Sequence, residues 1–236
     1  MDGMVMVNVP AGEFKMGSDK TVDAQAYDNE LPQHTVYLDA YWIDKTLVTN
    51  GMYTNCVNAG SCTVPDNTSS RTRSDYYSSS QYADYPVIFV DWNQVSAYCQ
   101  WAGRRLPTEA EWEKAARGTD GRIFPWGNGV PTCSLANFSG CGGDTSAVDS
   151  HPEGASLYGV LDMAGNVWEW VADWYSETYY GESPANNPTG PATGDYRVLR
   201  GGSWVKNVQS VRSADRFRLN PDLGDDYLGF RCAASP

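Results

Sequence analysis

The sequence predicts an irregular α+β fold with few helices and much coil. Three observations point to it: short runs of alternating apolar residues, a few short helix patterns, and a composition rich in glycine and aromatic residues. The 236 residues include 23 glycines and 13% are aromatic, which favours many turns and large, rigid contact groups. We find neither a linker nor an internal repeat, so we expect a single domain over residues 1–236.

Residues 4–43 predict β structure. Apolar side chains occupy every second position in residues 5–9 and again in residues 36–40. This period of two is typical of half-buried strands. Pro10-Ala11-Gly12 is a turn signal between two such strands.

Three helices are expected between residues 49 and 118. Thr49 can cap a short helix that runs to about Asn58. Asn93 can cap a second helix, in which Val95, Tyr98, Cys99 and Ala102 share one face.

The third helix has the clearest start signal. Thr108 and Glu111 form a capping box, Pro107 precedes them, and Gly118 lies beyond the expected end. This pattern indicates a helix and is silent about function.

Two long segments show no regular pattern. Residues 63–86 form a polar loop with many serines and four tyrosines, which is either functional, mobile or a solvated insertion. From Gly118 to Arg197 the chain is mostly turns with scattered aromatic anchors.

Charge and hydropathy exclude several classes of partner. The net charge of −12 repels nucleic acid and anionic membranes, so we expect neither as a partner. No run of 18 apolar residues exists, so no membrane span is expected. Residues 1–4 lack the basic and apolar regions of a signal peptide, so we expect none in this chain.

The six cysteines form an even set: Cys56, Cys62, Cys99, Cys133, Cys141 and Cys232. They permit three disulfides in 15 connectivities and indicate an oxidising compartment, outside the cell or at its surface. Six reduced thiols in a cytoplasmic protein are the alternative. Proximity in the chain favours Cys56–Cys62 and Cys133–Cys141. A zinc site is disfavoured, because no Cys-x2-Cys pair exists and the histidines are two, His34 and His151.

Several longer motifs follow one another along nearly the whole chain. They are residues 10–17 (PAGEFKMG), 48–50 (VTN), 105–113 (RLPTEAEWE), 162–170 (DMAGNVWEW) and 200–203 (RGGS). Together they resemble the formylglycine-generating-enzyme family, also called sulfatase-modifying factors. The resemblance implies an irregular C-type-lectin-like α+β fold with a small mixed sheet, few helices and much coil. It also implies a disulfide between Cys99 and Cys232.

The resemblance also reveals an absence. The oxidases of this family carry two redox-active cysteines after the Gly-Gly-Ser-aromatic segment, and Lys206 and Val211 stand at those positions here. Neither side chain can replace a thiolate, the soft ligand that copper(I) requires. With His34 and His151 alone, the histidine-rich iron site of related sulfoxide synthases cannot form either. We therefore expect no copper, no catalytic residues and no enzyme activity, with an oxidase-like enzyme as the least favoured alternative.

Calcium is the cofactor that the resemblance implies, in a structural role. One family site maps onto the carboxylates of Asp162 and Glu169 and the backbone carbonyls of Gly165 and Val167. A second maps onto Asn137, Phe138 and Asp144, although the spacing to Asp144 departs from the family pattern. Oxygen ligands of these kinds are those that calcium prefers. Alternatively, Asp162 and Glu169 bind loop amides or pair with arginines.

Residues 204–227, which we call the C-terminal strip, are the candidate ligand-binding surface. In the enzymes the matching region floors the substrate cleft, so we expect it to face solvent. Its mixture of aromatic and small polar residues is typical of protein-binding surfaces. The candidate contact residues are Trp204, Val205, Lys206, Asn207, Gln209, Ser210, Asp215, Phe217, Leu219, Asn220, Leu223, Asp225, Asp226 and Tyr227.

The strip also resembles the variable region of diversity-generating-retroelement target proteins. The candidate variable region of this chain spans residues 197–232 and contains the strip. In such proteins, Asn codons altered at adenines yield residues such as Phe, Leu, Val, Ser, Tyr, Asp and Gly. Most candidate positions fit this alphabet, whereas Lys206 and Gln209 do not. We thus predict a non-catalytic receptor-type protein that binds a protein ligand. The alternative is a binding module of the same family with one fixed ligand.

Overall fold

The computed structural model describes residues 2–236 and contains three α-helices and nine strands over that range. Most of the described chain lies in turns and coil, so the α+β class with few helices is confirmed. The elements in chain order are β1 Met6–Val9, β2 Gly12–Met16, β3 His34–Leu38, β4 Tyr41–Asp44, α1 Asn50–Asn58, α2 Trp92–Trp101, α3 Glu109–Arg117, β5 Trp168–Trp174, β6 Arg197–Arg200, β7 Arg216–Leu219, β8 Leu228–Phe230 and β9 Ala233–Ala234.

The helix starts follow local capping chemistry. Thr49 accepts a hydrogen bond from the backbone of Met52 at the start of α1, as predicted. The capping box of Thr108 and Glu111 starts α3, and Gly118 ends it. Both predictions are confirmed.

The expected cap of α2 is wrong. Asp91 caps this helix, and its side chain accepts from the backbone N–H of Gln94 at 2.8 Å. In return, the side-chain oxygen of Gln94 accepts from the backbone N–H of Asp91 at 2.9 Å, which completes a capping box.

The strands predicted in residues 4–43 form two small antiparallel sheets. Strand β1 pairs with β4, while β2 pairs with β3. The short strand β9 adds to the other edge of β4, which brings the C-terminal residues against the N-terminal sheet.

The third sheet is mixed and carries the candidate surface. Its strand order is β7-β6-β5-β8, with β5 parallel to β8 and the other pairs antiparallel. Strand β7 lies within the C-terminal strip and forms one edge of this sheet.

All three predicted disulfides are present: Cys56–Cys62, Cys99–Cys232 and Cys133–Cys141. The second joins Cys99 of α2 to Cys232, two residues after the end of β8, inside an apolar core that also holds Trp168 and Trp170. It closes a separation of 133 residues.

The loop of residues 63–86 is packed against the protein. Tyr76 is 1% exposed and contacts the rings of Tyr82 and Tyr85. The guanidinium of Arg73 lies over these rings, 4.9 Å from the Tyr85 centroid. Within residues 2–236, no helix has the length and apolar character that a membrane span requires.

Candidate ligand-binding surface

The residues that frame the C-terminal strip are buried. Arg200, Leu228 and Phe230 are fully buried. Gly202 has a φ of +74°, and a Cβ there would lie 2.5 Å from the carbonyl oxygen of Ser210. Only glycine fits this position, so the backbone conformation at which the chain enters the strip depends on Gly202.

Inside the strip, a second set of residues is buried and holds it to the core. This set is Val211, Arg212, Ser213, Ala214 and Arg216. Arg212 donates to both carboxylate oxygens of Glu30, at 2.6 and 2.7 Å. Arg216 donates to Glu109 at 2.6 and 2.9 Å. Paired guanidinium–carboxylate contacts of this kind are directional and fix the backbone that carries them.

Twelve of the candidate contact residues are exposed or half-buried. Val205 is 45% exposed, Phe217 38% and Leu223 50%. The ring of Phe217 stacks on Trp168 with centroids 5.5 Å apart, and the ammonium of Lys206 lies 5.3 Å from the Phe217 ring. The twelve are Val205, Lys206, Asn207, Gln209, Ser210, Phe217, Leu219, Asn220, Leu223, Asp225, Asp226 and Tyr227.

The expectation that Trp204 and Asp215 face solvent is wrong. Trp204 is 7% exposed, because its indole turns inward and donates to the carbonyl oxygen of Asp226 at 3.1 Å. Asp215 is 4% exposed beside Arg212. Burial and the negative charge of Glu30 raise the pKa of Asp215 to about 7. Both residues support the surface from beneath.

Lys206 and Val211 occupy different environments. Lys206 is half-buried at the surface, whereas Val211 is fully buried in an apolar cluster with Phe124, Phe138 and Ala164. All six cysteines lie in disulfides, so residues 2–236 offer no free thiol.

The two segments predicted to bind calcium touch each other. The backbone N–H of Asn166 donates to the carbonyl oxygen of Asn137 at 2.7 Å. Gly165 has a φ of +77°, and a Cβ there would lie 2.2 Å from the same oxygen. The close approach of the two segments therefore depends on glycine at this position.

Glu169 and Asp162 differ in how fully they are paired. Glu169 accepts two hydrogen bonds from Arg231, at 2.7 and 2.9 Å, and both residues are fully buried. Asp162 is 8% exposed and accepts one hydrogen bond, from the backbone of Asp149 at 3.1 Å. Burial raises the pKa of both carboxyl groups. Arg231 balances the charge of Glu169 but is not paired with Asp162. A cation bound beside Asp162 would balance the charge of that carboxylate.

In the second predicted set, Asn137 and Asp144 are adjacent. The Asn137 side-chain N–H donates to the carbonyl oxygen of Asp144 at 2.8 Å, while its own Oδ1 is buried without a partner. The Asp144 carboxylate accepts from Ser70 and Thr72 at 2.6 and 2.7 Å. Burial alone would raise the pKa of Asp144, but these hydrogen bonds hold it below its ordinary value. Phe138 is packed in the same apolar cluster as Val211.

No group of three or more His, Cys, Asp or Glu side chains within residues 2–236 is placed to hold a metal ion. A calcium site here would therefore depend on backbone and amide oxygens.

Sequence reasoning missed the arginine–carboxylate network beneath the strip. Arg200 donates to Glu113 at 2.6 Å and lies 3.4 Å from Glu109, which also binds Arg216. Tyr180 adds hydrogen bonds to both glutamates. The sequence signal for this network is limited to the charged residues of helix α3, which would ordinarily indicate a solvated face.

Comparison with known proteins gives a full-length match. Residues 2–236 match the family described as "Sulfatase-modifying factor enzyme 1-like domain". A formylglycine-generating enzyme of Streptomyces coelicolor is 38% identical over 280 residues, covering 96% of this chain and 88% of that protein. A Chlamydia pneumoniae protein named serine/threonine-protein kinase pkn1 is 39% identical over 241 residues, but the match spans only 37% of its length.

Two solved structures are also similar over the whole chain. PvdO from Pseudomonas aeruginosa has a TM-score of 0.86 and 28% identity, with 100% of this chain and 95% of that chain covered. Treponema denticola variable protein 1 has a TM-score of 0.81 and 27% identity, with 100% and 98% covered. These likenesses confirm the C-type-lectin-like α+β fold class predicted from the sequence.

Proposed function

The chain belongs to the sulfatase-modifying factor enzyme 1-like family, and within that family we propose that it is a non-catalytic, receptor-type binding protein. Its C-terminal strip is the ligand-binding surface. The observation that carries this proposal is the division of the strip into two sets of residues. One set is buried and anchored by arginines, and the other is exposed or half-buried, with Leu219 and Tyr227 packed partly against the core.

The exposed set has the chemistry of a protein-binding surface. Val205, Phe217 and Leu223 expose apolar area among amide, hydroxyl and carboxylate groups. Phe217 is backed by Trp168, so its ring is presented rigidly and loses little conformational freedom on binding. We therefore favour a protein ligand over a sugar, and the net charge of −12 disfavours nucleic acid.

We further propose that the strip is a variable region diversified by a retroelement. The likeness to a Treponema protein named as a variable protein supports this, as does the confinement of candidate positions to the end of the chain. The buried frame also supports it, since changes at exposed positions would leave the anchoring contacts in place. A binding module with one fixed ligand is the second candidate, and the solved PvdO structure is as similar in fold.

An oxidase-like enzyme is the third candidate, because relatives named formylglycine-generating enzyme and hercynine oxygenase belong to the same set of similar proteins. Two features argue against it. The positions of the family's cysteine pair hold Lys206 and Val211, and the Val211 side chain is packed among apolar residues. The three disulfides leave no thiol for copper(I).

Calcium is proposed as a structural cofactor, and the first predicted site fits it better than the second. Asp162 is buried near a second carboxylate and has one hydrogen bond, so it can ligate a cation together with the carbonyls of Gly165 and Val167. Glu169 could join only by giving up part of its pairing with Arg231. At the second site, the Oδ1 of Asn137 fits a cation, whereas the Asp144 carboxylate is already engaged.

Three disulfides are typical of proteins in oxidising compartments. We propose on this ground that the protein acts outside the cell or at its surface.

Two display libraries test the binding proposal. The first randomises five exposed positions, namely Val205, Asn207, Phe217, Asn220 and Leu223. The control library randomises the five buried positions, namely Val211, Arg212, Ser213, Ala214 and Arg216. We expect most members of the first library to be displayed in folded form and to yield binders to an arbitrary target such as lysozyme. Equal loss of folded display in both libraries would contradict the proposal.

The coding DNA separates a retroelement target from a fixed-ligand module. A near-copy of the 3′ coding segment beside a reverse-transcriptase gene, differing only at adenines, is expected. Its absence would remove the retroelement part of the proposal and leave the binding surface. Oxidation of a cysteine-containing peptide in the presence of copper would instead support the enzyme.

A further inference from the structure

A cavity of about 640 Å³ opens between the β3–β4 turn, α2 and the start of α3. None of its lining residues belongs to the C-terminal strip. Its volume lies in the range of small-molecule sites, and Leu38, Ala40, Leu106 and Pro188 supply apolar walls.

Arg197 lines this cavity and is held between two tryptophans. Its guanidinium carbon lies 3.7 Å from the centroid of the Trp92 ring and 3.5 Å from that of Trp174. The Nη1 atom donates to the carbonyl oxygen of Ala172 at 2.6 Å, and Nε is buried without a partner. The rings cover the faces of the guanidinium, so a ligand can reach it only along its edge, where its N–H groups point.

The charge of Arg197 is unmatched, unlike that of its counterparts. Apart from the exposed Arg71 and Arg218, every other arginine in residues 2–236 pairs with a carboxylate. Arg197 is half-buried and has no such pair. Asp173 contributes some favourable charge, but burial raises its own pKa well above the ordinary value, which favours its neutral form.

The other charged side chains that line the cavity are already paired or hydrogen-bonded. Arg105 pairs with Glu111 at 2.6 Å. Asp39 lies at the exposed rim and accepts from the side chain of Asn187 at 3.0 Å. Arg197 is therefore the charged side chain in this cavity that has both charge and hydrogen-bonding capacity to offer a ligand.

We propose that this cavity binds a small organic carboxylate with an apolar body, held by Arg197 through charge-assisted hydrogen bonds. The apolar walls take the body of the ligand, and the guanidinium edge takes the carboxylate. This site is separate from the proposed protein-binding surface, so either proposal can fail without the other.

Calorimetry with matched probes tests the proposal. The probes are butyrate, hexanoate and phenylbutyrate, each compared with its neutral amide at millimolar concentration. We expect at least one carboxylate to bind at least about tenfold more tightly than its amide, because a hydrogen bond to a charged group is stronger than one between neutral groups. The indole N–H signals of Trp92 and Trp174 should shift on binding, while that of the distant Trp126 should not.

Three variants locate the site. Arg197→Gln should abolish the preference for carboxylate over amide, and Arg218→Gln, which removes an exposed arginine on the neighbouring strand, should keep it. Ser96→Phe, which fills the cavity from α2 and leaves the arginine in place, should weaken both probes at least about tenfold. Absence of binding by every carboxylate, equal affinity for acid and amide, or unchanged binding in Ser96→Phe would each overturn the proposal. If Arg197→Gln does not fold, Ser96→Phe still decides whether the ligand binds in this cavity.

Discussion

Three valines in the C-terminal strip allow one substitution to be compared at different depths. Val205 is 45% exposed and Val208 is 40% exposed, whereas Val211 is fully buried. Replacing each by threonine keeps the shape of the side chain and exchanges one methyl group for a hydroxyl. The substitution therefore measures what each position contributes to the fold, with little change in volume.

The expected losses of unfolding free energy differ severalfold among the three variants. At Val205 and Val208 the new hydroxyl can reach water, so the free energy of unfolding should change by no more than about 0.5 kcal/mol. At Val211 the hydroxyl enters the apolar cluster of Phe124, Phe138 and Ala164. Burying a hydroxyl without a partner costs about 1–3 kcal/mol, and we expect about 2 kcal/mol. That cost lowers the ratio of folded to unfolded protein roughly thirtyfold.

The assay is equilibrium unfolding in guanidinium chloride with the disulfides intact, followed by far-ultraviolet circular dichroism. The midpoint for Val211→Thr should fall at unchanged slope, and those for Val205→Thr and Val208→Thr should stay near that of the wild type. Equal costs at the three positions would refute the division of the strip into anchoring and displayed residues. The proposed variable surface would then lose its structural basis.

Three further predictions concern stability. Replacing Cys99 and Cys232 by alanine should lower the free energy of unfolding by about 5 kcal/mol in chemical unfolding, because this disulfide closes 133 residues. Replacing Cys56 and Cys62, whose disulfide closes 6 residues, should lower it by roughly 2 kcal/mol. Equal losses would count against the loop-entropy argument. The pKa of Asp215 is raised to about 7 in the folded protein from its ordinary 3.8, so this carboxyl favours folding at low pH and its contribution is lost as pH rises towards 7. The stability of Asp215→Asn relative to the wild type should therefore increase as pH rises from 3.8 to about 7, measured by urea unfolding at stepped pH. A difference in unfolding free energy that does not change with pH would contradict the raised pKa of Asp215. A calcium chelator should lower the melting temperature of the wild type but not that of Asp162→Asn, and an unchanged wild-type value would argue against a structural ion.

The fold was most predictable where the responsible contacts are local. The capping box at Thr108 involves residues three apart, so its chemistry is visible in the sequence. The predicted cap of α2 is wrong because Asp91 and Asn93 are both residues that cap helices, and Gln94, whose side-chain oxygen accepts from the backbone N–H of Asp91, favours Asp91. Local patterns identify a helix more reliably than they choose between neighbouring caps.

The candidate surface was less predictable because burial there depends on distant partners. Nothing near Trp204 in the sequence indicates that its indole turns inward to the backbone of Asp226. Asp144, a predicted metal ligand, accepts hydrogen bonds from Ser70 and Thr72, in a loop whose structure the sequence patterns do not define. The sequence alone does not distinguish an acidic side chain that contacts a cation from one that contacts a hydroxyl group or water.

The buried arginines of the strip indicate how this fold could tolerate change at its surface. Arg212 reaches Glu30, 182 residues away in sequence, and Arg216 reaches Glu109, 107 residues away. Buried ion pairs of this kind add little net stability, since desolvation offsets their attraction, but breaking one by removing a partner costs about 3–5 kcal/mol. They therefore act mainly by fixing where the backbone lies. Because the carboxylates come from outside the strip, its position does not depend on its own exposed side chains. Exposed residues can then change in chemistry while the backbone that presents them stays in one place.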